Sequence, residues 1–146
     1  MELKKLDTIK VCDILNRIVE MEMAGVVRYA HSSLMVRGPN RIPIVAFLQE
    51  QANESLAHAL QAGEYITGFN GHPSQGISVI EENHDHSVEQ ILKESLAHEM
   101  SAVEMYKELL MEVADASIML EEYARGQIGM EEQHALEISK MLQDYS

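Results

Sequence analysis

The sequence contains no tryptophan, a single cysteine, three prolines and two phenylalanines. One thiol, Cys12, cannot close an intrachain disulfide, and there is no paired-cysteine pattern of zinc-ribbon type. Aromatic residues make up 5% of the chain. With few β-branched clusters beside them, that argues against a sheet protein. No apolar run approaches the length of a membrane span. Basic residues are also scarce: 11 Lys and Arg against 24 Asp and Glu give a formal charge of −13. Such a balance argues against nucleic acid or an anionic membrane as partner and fits attraction of cations. The N-terminal "MELKKLDTIK" carries no following apolar stretch of signal-peptide type, so a reducing cytoplasm is the expected compartment.

What is abundant is leucine, methionine, alanine and glutamate, all good helix formers. The ten methionines read as adaptable core filler rather than as redox groups. At 146 residues the chain suits one domain, residues 1–146, with a core of its own. Chain breakers cluster in "RGPNRIP" (37–43) and "GFNGHPSQG" (68–76), with the polar "EENHDH" soon after. Between them run segments of helical periodicity. In the first, Ile14, Ile18, Val19, Met23, Val26, Val27, Ala30 and Leu34 recur at three- and four-residue steps. A second spans about Pro43 to Thr67, with proline tolerated in its first turn. The third starts at Ser87, where Ser-Val-Glu-Gln reads as a capping box. The fourth runs from about Ser117 to Leu142, and its Gly126 and Gly129 are expected at a close helix approach or a kink. Each is roughly 25 to 30 residues, about 40 Å at 1.5 Å per residue. Short outer links and a long middle one predict an all-α antiparallel four-helix bundle with a long crossover between helices two and three.

The two halves repeat. Glu22 to Tyr29 and Glu99 to Tyr106 share a Glu-x6-Tyr pattern. "NESLAHAL" (53–60) and "GMEEQHAL" (129–136) share an acid followed by His-Ala-Leu. Glu131 lies three residues before His134 and so on the same helix face. Glu54 lies four before His58, with Ser55 at the three-residue spacing. Glu22 and Glu99 stand in apolar surroundings, where an unpaired carboxylate is costly and a cation is a physical reason for it. Two adjacent first-row cations need several anionic oxygens and imidazoles to complete their coordination. A single acid–histidine pair is usually surface decoration, but one acid per helix with duplicated contexts predicts a dinuclear site. Its candidate ligands are Glu22, Glu54, His58, Glu99, Glu131 and His134. Tyr29 and Tyr106 are candidates for hydrogen bonding to those carboxylates, or for one-electron donation beside them; simple packing is the alternative. His31, His72, His84, His86 and His98 are left out, the "HDH" at 84–86 reading as solvated loop.

Taken together, "VEMEMAGVVRY", "HALQAGEYITGFNGHPS", "LAHEMSAVEMY" and "MEEQHALEI" resemble the bacterioferritin branch of the ferritin-like family over nearly the whole chain. Carboxylates on two helices with Glu-x-x-His on the others is a known arrangement of such bundles. The resemblance implies two bound irons (manganese is also compatible), oxidation of ferrous iron by oxygen or peroxide, and iron storage or detoxification in a homo-oligomer. It also implies that acids of the Glu-x-x-His pairs bridge the metals while the other two bind one metal each. Three departures accompany it. Ser55 stands where the second-helix glutamate is expected, Leu56 stands at the haem-binding methionine so no haem is expected, and residues 135–146 are too few for the fifth helix of a 24-subunit cage. A π-bulge between Glu54 and His58 would absorb the offset of the acid. Two other readings stay open: a rubrerythrin-like peroxide reductase, and a degenerate ferritin-like subunit without catalysis.

Overall fold

The computed structural model describes residues 3–145; Met1, Glu2 and Ser146 of the expected 1–146 domain lie outside the described residues. Four helices follow one another: α1 (Thr8–Met35), α2 (Arg41–Gly68), α3 (Val88–Val113) and α4 (Ile118–Leu142), with a short 3-10 turn at Gln143–Tyr145. There is no strand among the described residues. Three helices begin where a side-chain oxygen takes up a free amide of the first turn. Asp7 accepts from Lys10 N at 3.1 Å, Ser87 from Gln90 N at 3.2 Å and Ser117 from Leu120 N at 3.2 Å. α2 has no side-chain cap and carries Pro43 in its first turn, where no helical N–H bond is lost. Only half of the expected capping box forms. Gln90 Nε2 turns to Glu94 instead of back to Ser87, whose own amide bonds to Asp85.

α1 packs along α2 and α3 along α4, and contact of α1 with α3 joins the two hairpins. The crossover, residues 69–87, runs back over α1 and is pinned there. Ser74 donates its amide to Asn16 (2.7 Å) and its hydroxyl to Glu20, Asn16 donates to the His72 carbonyl, and Ser78 N donates to the Glu20 carbonyl.

The interior divides into two apolar clusters with a polar layer between them. One holds Ile14, Leu15 and Ile18 with Ile66, Tyr106, Leu109 and Leu120. The other holds Tyr29, Ile44, Leu48 and Ile91. Between the two clusters falls a layer of buried polar residues: Glu22 on α1, Ser55 and His58 on α2, Ser95 and Glu99 on α3, Gln127 and Glu131 on α4. Apolar packing on both sides thus holds charged side chains in the middle of the bundle.

The apolar periodicity of α1 does not mark a single buried face: Val27, Ala30 and Leu34 face outward, because the second half of this helix is apolar on two faces. Two expectations need correcting. Gly126 and Gly129 are exposed, with nothing within 4 Å of where a Cβ would stand, so neither marks a close approach, and α4 runs unbroken through both. α2 is α-helical from Arg41 to Gly68 without a π-bulge at Glu54–His58.

Candidate metal centre

Five side chains from all four helices converge in the polar layer. Glu22, His58 and Glu131 form one group whose donor atoms lie within 4.8 Å of one another, and Glu99, Glu131 and His134 form a second. Glu131 belongs to both. Its Oε1 is 3.4 Å from His58 Nδ1 and its Oε2 is 3.5 Å from His134 Nδ1. Glu22 Oε2 lies 2.7 Å from His58 Nδ1, and Glu99 Oε2 lies 3.8 Å from His134 Nδ1. The two groups are therefore related as the sequence repeat relates their helices, with one carboxylate between them.

The two tyrosines cross over. Tyr29 of α1 donates to Glu99 Oε1 of α3 at 2.5 Å, and Tyr106 of α3 donates to Glu22 Oε2 of α1 at 3.2 Å. Both are buried. Burial, followed by the nearby carboxylates, pushes both phenols well above their ordinary range, so they remain hydrogen-bond donors.

Glu54 stands apart from the two groups. It is half-buried, and its Oε2 lies 3.1 Å from Nε2 of His134. It reaches this point from a regular helix because four residues advance the chain about 400°, only about 40° beyond a full turn. Ser55, the residue at the three-residue spacing, is buried against α1. A Cβ on Gly25 would fall 2.8 Å from Ser55 Oγ and 2.7 Å from His98 Nε2. Glycine at 25 is what allows these two side chains to approach α1.

His98, one of the five histidines left out of the ligand set, belongs to neither donor group. It packs edge-on against Tyr29 with ring centroids 5.6 Å apart, and its Nε2 is buried without a partner. Burial, then Arg28, pushes it down to about 4, so it is neutral. The "HDH" histidines line a groove of about 290 Å³ with His31 and Arg28. His84 is exposed, and His86 meets His31 edge-on at 5.7 Å.

The donor set has the chemistry of a cation site. Three carboxylates and two imidazoles carry −3, or −3 + 2 = −1 with both rings protonated. The ion pairs of Glu22, Glu99 and Glu131 are all with histidine, so no lysine or arginine neutralises them among the described residues. His134 Nδ1 is buried without a hydrogen-bond partner although it faces two carboxylates. Burial pulls the His58 proton off, but Glu131 and Glu22 outweigh this and lift it to about 9. Such oxygen and imidazole donors suit first-row divalent metals, and a shared cation satisfies both the excess charge and the unpartnered nitrogen.

A family model for the ferritin-like domain matches residues 12–146. The chain belongs to the ferritin-like domain family. Solved structures agree in fold. A ferritin-like, diiron-carboxylate protein from Bacillus anthracis superposes with a TM-score of 0.87 at 20% identity, covering 95% of this chain and 99% of that one. The bacterioferritin-related dodecameric thioferritin of Bacteroides fragilis gives 0.89 at 21% identity, covering 97% and 89%. The bacterioferritin of Rhodobacter capsulatus gives 0.84 at 21%, covering 97% and 88%. At these identities the likeness establishes the fold. No curated protein matches the sequence. Among the described residues no helix is long and apolar enough to cross a membrane.

Proposed function

We propose that this ferritin-like chain binds a pair of first-row divalent cations, and that it oxidises ferrous iron with oxygen or peroxide as electron acceptor, for iron storage or detoxification. The observation that carries the reading is Glu131, whose two oxygens face the histidines of two overlapping donor groups. Glu22 and His58 would hold one ion, Glu99 and His134 the other, with Glu131 between them. When bound, two ferrous ions supply two electrons to an oxidant.

The protein's own residues do the rest. Tyr106 and Tyr29 orient Glu22 and Glu99 by hydrogen bonds. The flanking apolar clusters keep bulk water from the carboxylates, which strengthens every charge interaction inside. His58 must give up its proton when a cation arrives, since a ligating imidazole is neutral. The acidic surface, at a net −13, raises the local concentration of cations.

Homo-oligomerisation belongs to the same reading. Val27, Ala30 and Leu34 on α1, with Leu56 and Leu60 on α2, leave apolar side chains on the outside of the first hairpin. Pairing through that face would cover them. The thioferritin with the same fold is dodecameric.

Metal analysis with a ferrous oxidation assay tests the proposal. Wild type should bind two metals per chain and oxidise ferrous iron, while His134→Ala should lose one metal and slow oxidation at least 100-fold. Near-zero stoichiometry in the wild type after anaerobic iron loading would refute the reading. Rapid peroxide turnover with an external reductase would favour a peroxide reductase instead.

A further inference from the structure

The two ring nitrogens of His134 face different carboxylates. Nδ1 looks towards Glu131 Oε2 at 3.5 Å and Glu99 Oε2 at 3.8 Å. Nε2 meets Glu54 Oε2 at 3.1 Å. The lone pairs of an imidazole point to opposite sides of the ring. A cation held between Nδ1, Glu99 and Glu131 therefore has the His134 ring between itself and Glu54. The 3.1 Å contact is not aligned as a hydrogen bond, and Glu54 Oε2 is buried with no other partner, so a small turn of the ring or the carboxylate is needed for it to accept the Nε2–H.

We propose that Glu54 is not a metal ligand but a positioning residue, one that accepts the Nε2–H of His134 and so keeps Nδ1 as the nitrogen offered to the cation. A histidine ligand commonly gives its second N–H to a carboxylate, which fixes the tautomer and the ring orientation and raises its basicity. The proposal rests on the reading of the cluster as a dinuclear metal centre.

The one-residue offset in α2 then has a structural meaning. With glutamate at 55 the carboxylate would occupy the buried face that Ser55 now takes against Gly25 and His98. With glutamate at 54 it comes in behind the histidine of the opposite helix. Glu131 is left as the one carboxylate facing both histidines, and three carboxylates against two divalent cations leave −3 + 4 = +1. The position at His134 is the more open of the two: the His134 side chain is 18% exposed against 9% for His58.

Titration of metal-free protein with cobalt(II), followed by calorimetry and visible absorption, separates positioning from ligation. Glu54→Ala should weaken the looser of two cobalt ions about 10–100-fold, yet leave the saturated spectrum unchanged, because no donor atom is lost. Glu54→Gln should restore most of the affinity, since an amide oxygen still accepts the Nε2–H. Glu99→Gln, by contrast, should alter the saturated spectrum. A changed saturated spectrum or a lost second ion in Glu54→Ala would overturn the proposal in favour of ligation. Wild-type affinity in Glu54→Ala would overturn it in favour of no role. If the wild type takes up no cobalt at all, the dinuclear reading itself fails, and the wild-type titration alone reveals that.

Discussion

Glu22 and Glu131 are equally buried, at 2% exposure each, yet their protonation is pushed in opposite directions. Burial raises Glu22, the neighbouring Glu131 charge adds to this, and the contacts with His58 and Tyr106 only partly offset it. Burial also acts to raise Glu131, but its close contacts with His134 and His58 together carry it below its usual value. Glu131 faces two imidazoles where Glu22 faces one, and Glu22 also feels the charge of Glu131. His58 is held protonated to about 9, and this has a definite sign in the metal-free protein. Its folded value lies above the unfolded 6.5, so its contribution to stability is complete below 6.5 and is lost as pH rises towards 9. Metal binding runs the other way, because the cation must displace that proton. The apparent affinity for cobalt should rise from pH 6.5 to 9, and calorimetry in buffers of different ionisation enthalpy should register proton release. A pH-independent affinity over that range would show that His58 is not displaced.

At the scale of helices, the value of a glycine depends on what stands over it. Gly25 on α1 lies beneath His98 Nε2 and Ser55 Oγ, so Gly25→Ala overpacks the polar layer and should cost about 1–3 kcal/mol. Gly126 on α4 is exposed with open space above it, so Gly126→Ala should stabilise by about 0.5–1 kcal/mol. Thermal melts of the two variants should move in opposite directions. These same helices show what the sequence made legible. The serine cap at 87, the clustered chain breakers and the long middle link pointed to the four helices and the hairpin order, and the duplicated Glu-x6-Tyr pattern made the tyrosines candidates for bonding carboxylates; that each bonds the glutamate of the other hairpin was not legible. The outward face of α1 was not legible, because apolar residues on two faces of one helix blur the periodicity. The open space above Gly126 and the regular course of α2 past Glu54 depend on neighbouring helices, which spacing alone does not describe.

For the whole molecule, charge and surface apolarity point to different encounters. The net −13 attracts cations and repels acidic polymers. Leu34, at 74% exposed, and Leu60, at 62%, are large apolar side chains in water, and both lie on the outer side of the first hairpin. A homo-oligomer through that face should lose mass on replacing both with glutamate, since two charges would then be buried at the contact. Sedimentation should show the Leu34→Glu, Leu60→Glu variant at lower mass with unchanged helix content. Wild-type mass in that variant would exclude this face as the contact.

The dinuclear reading spans all three scales, because it requires the residues, the helices that carry them and the two apolar clusters that hold the layer together. Anomalous diffraction from an iron-loaded crystal tests it most directly. Two iron peaks are expected in the polar layer, one beside Glu22 and His58 and one beside Glu99 and His134, with Glu131 between them. One peak, none, or iron only outside this layer would contradict it.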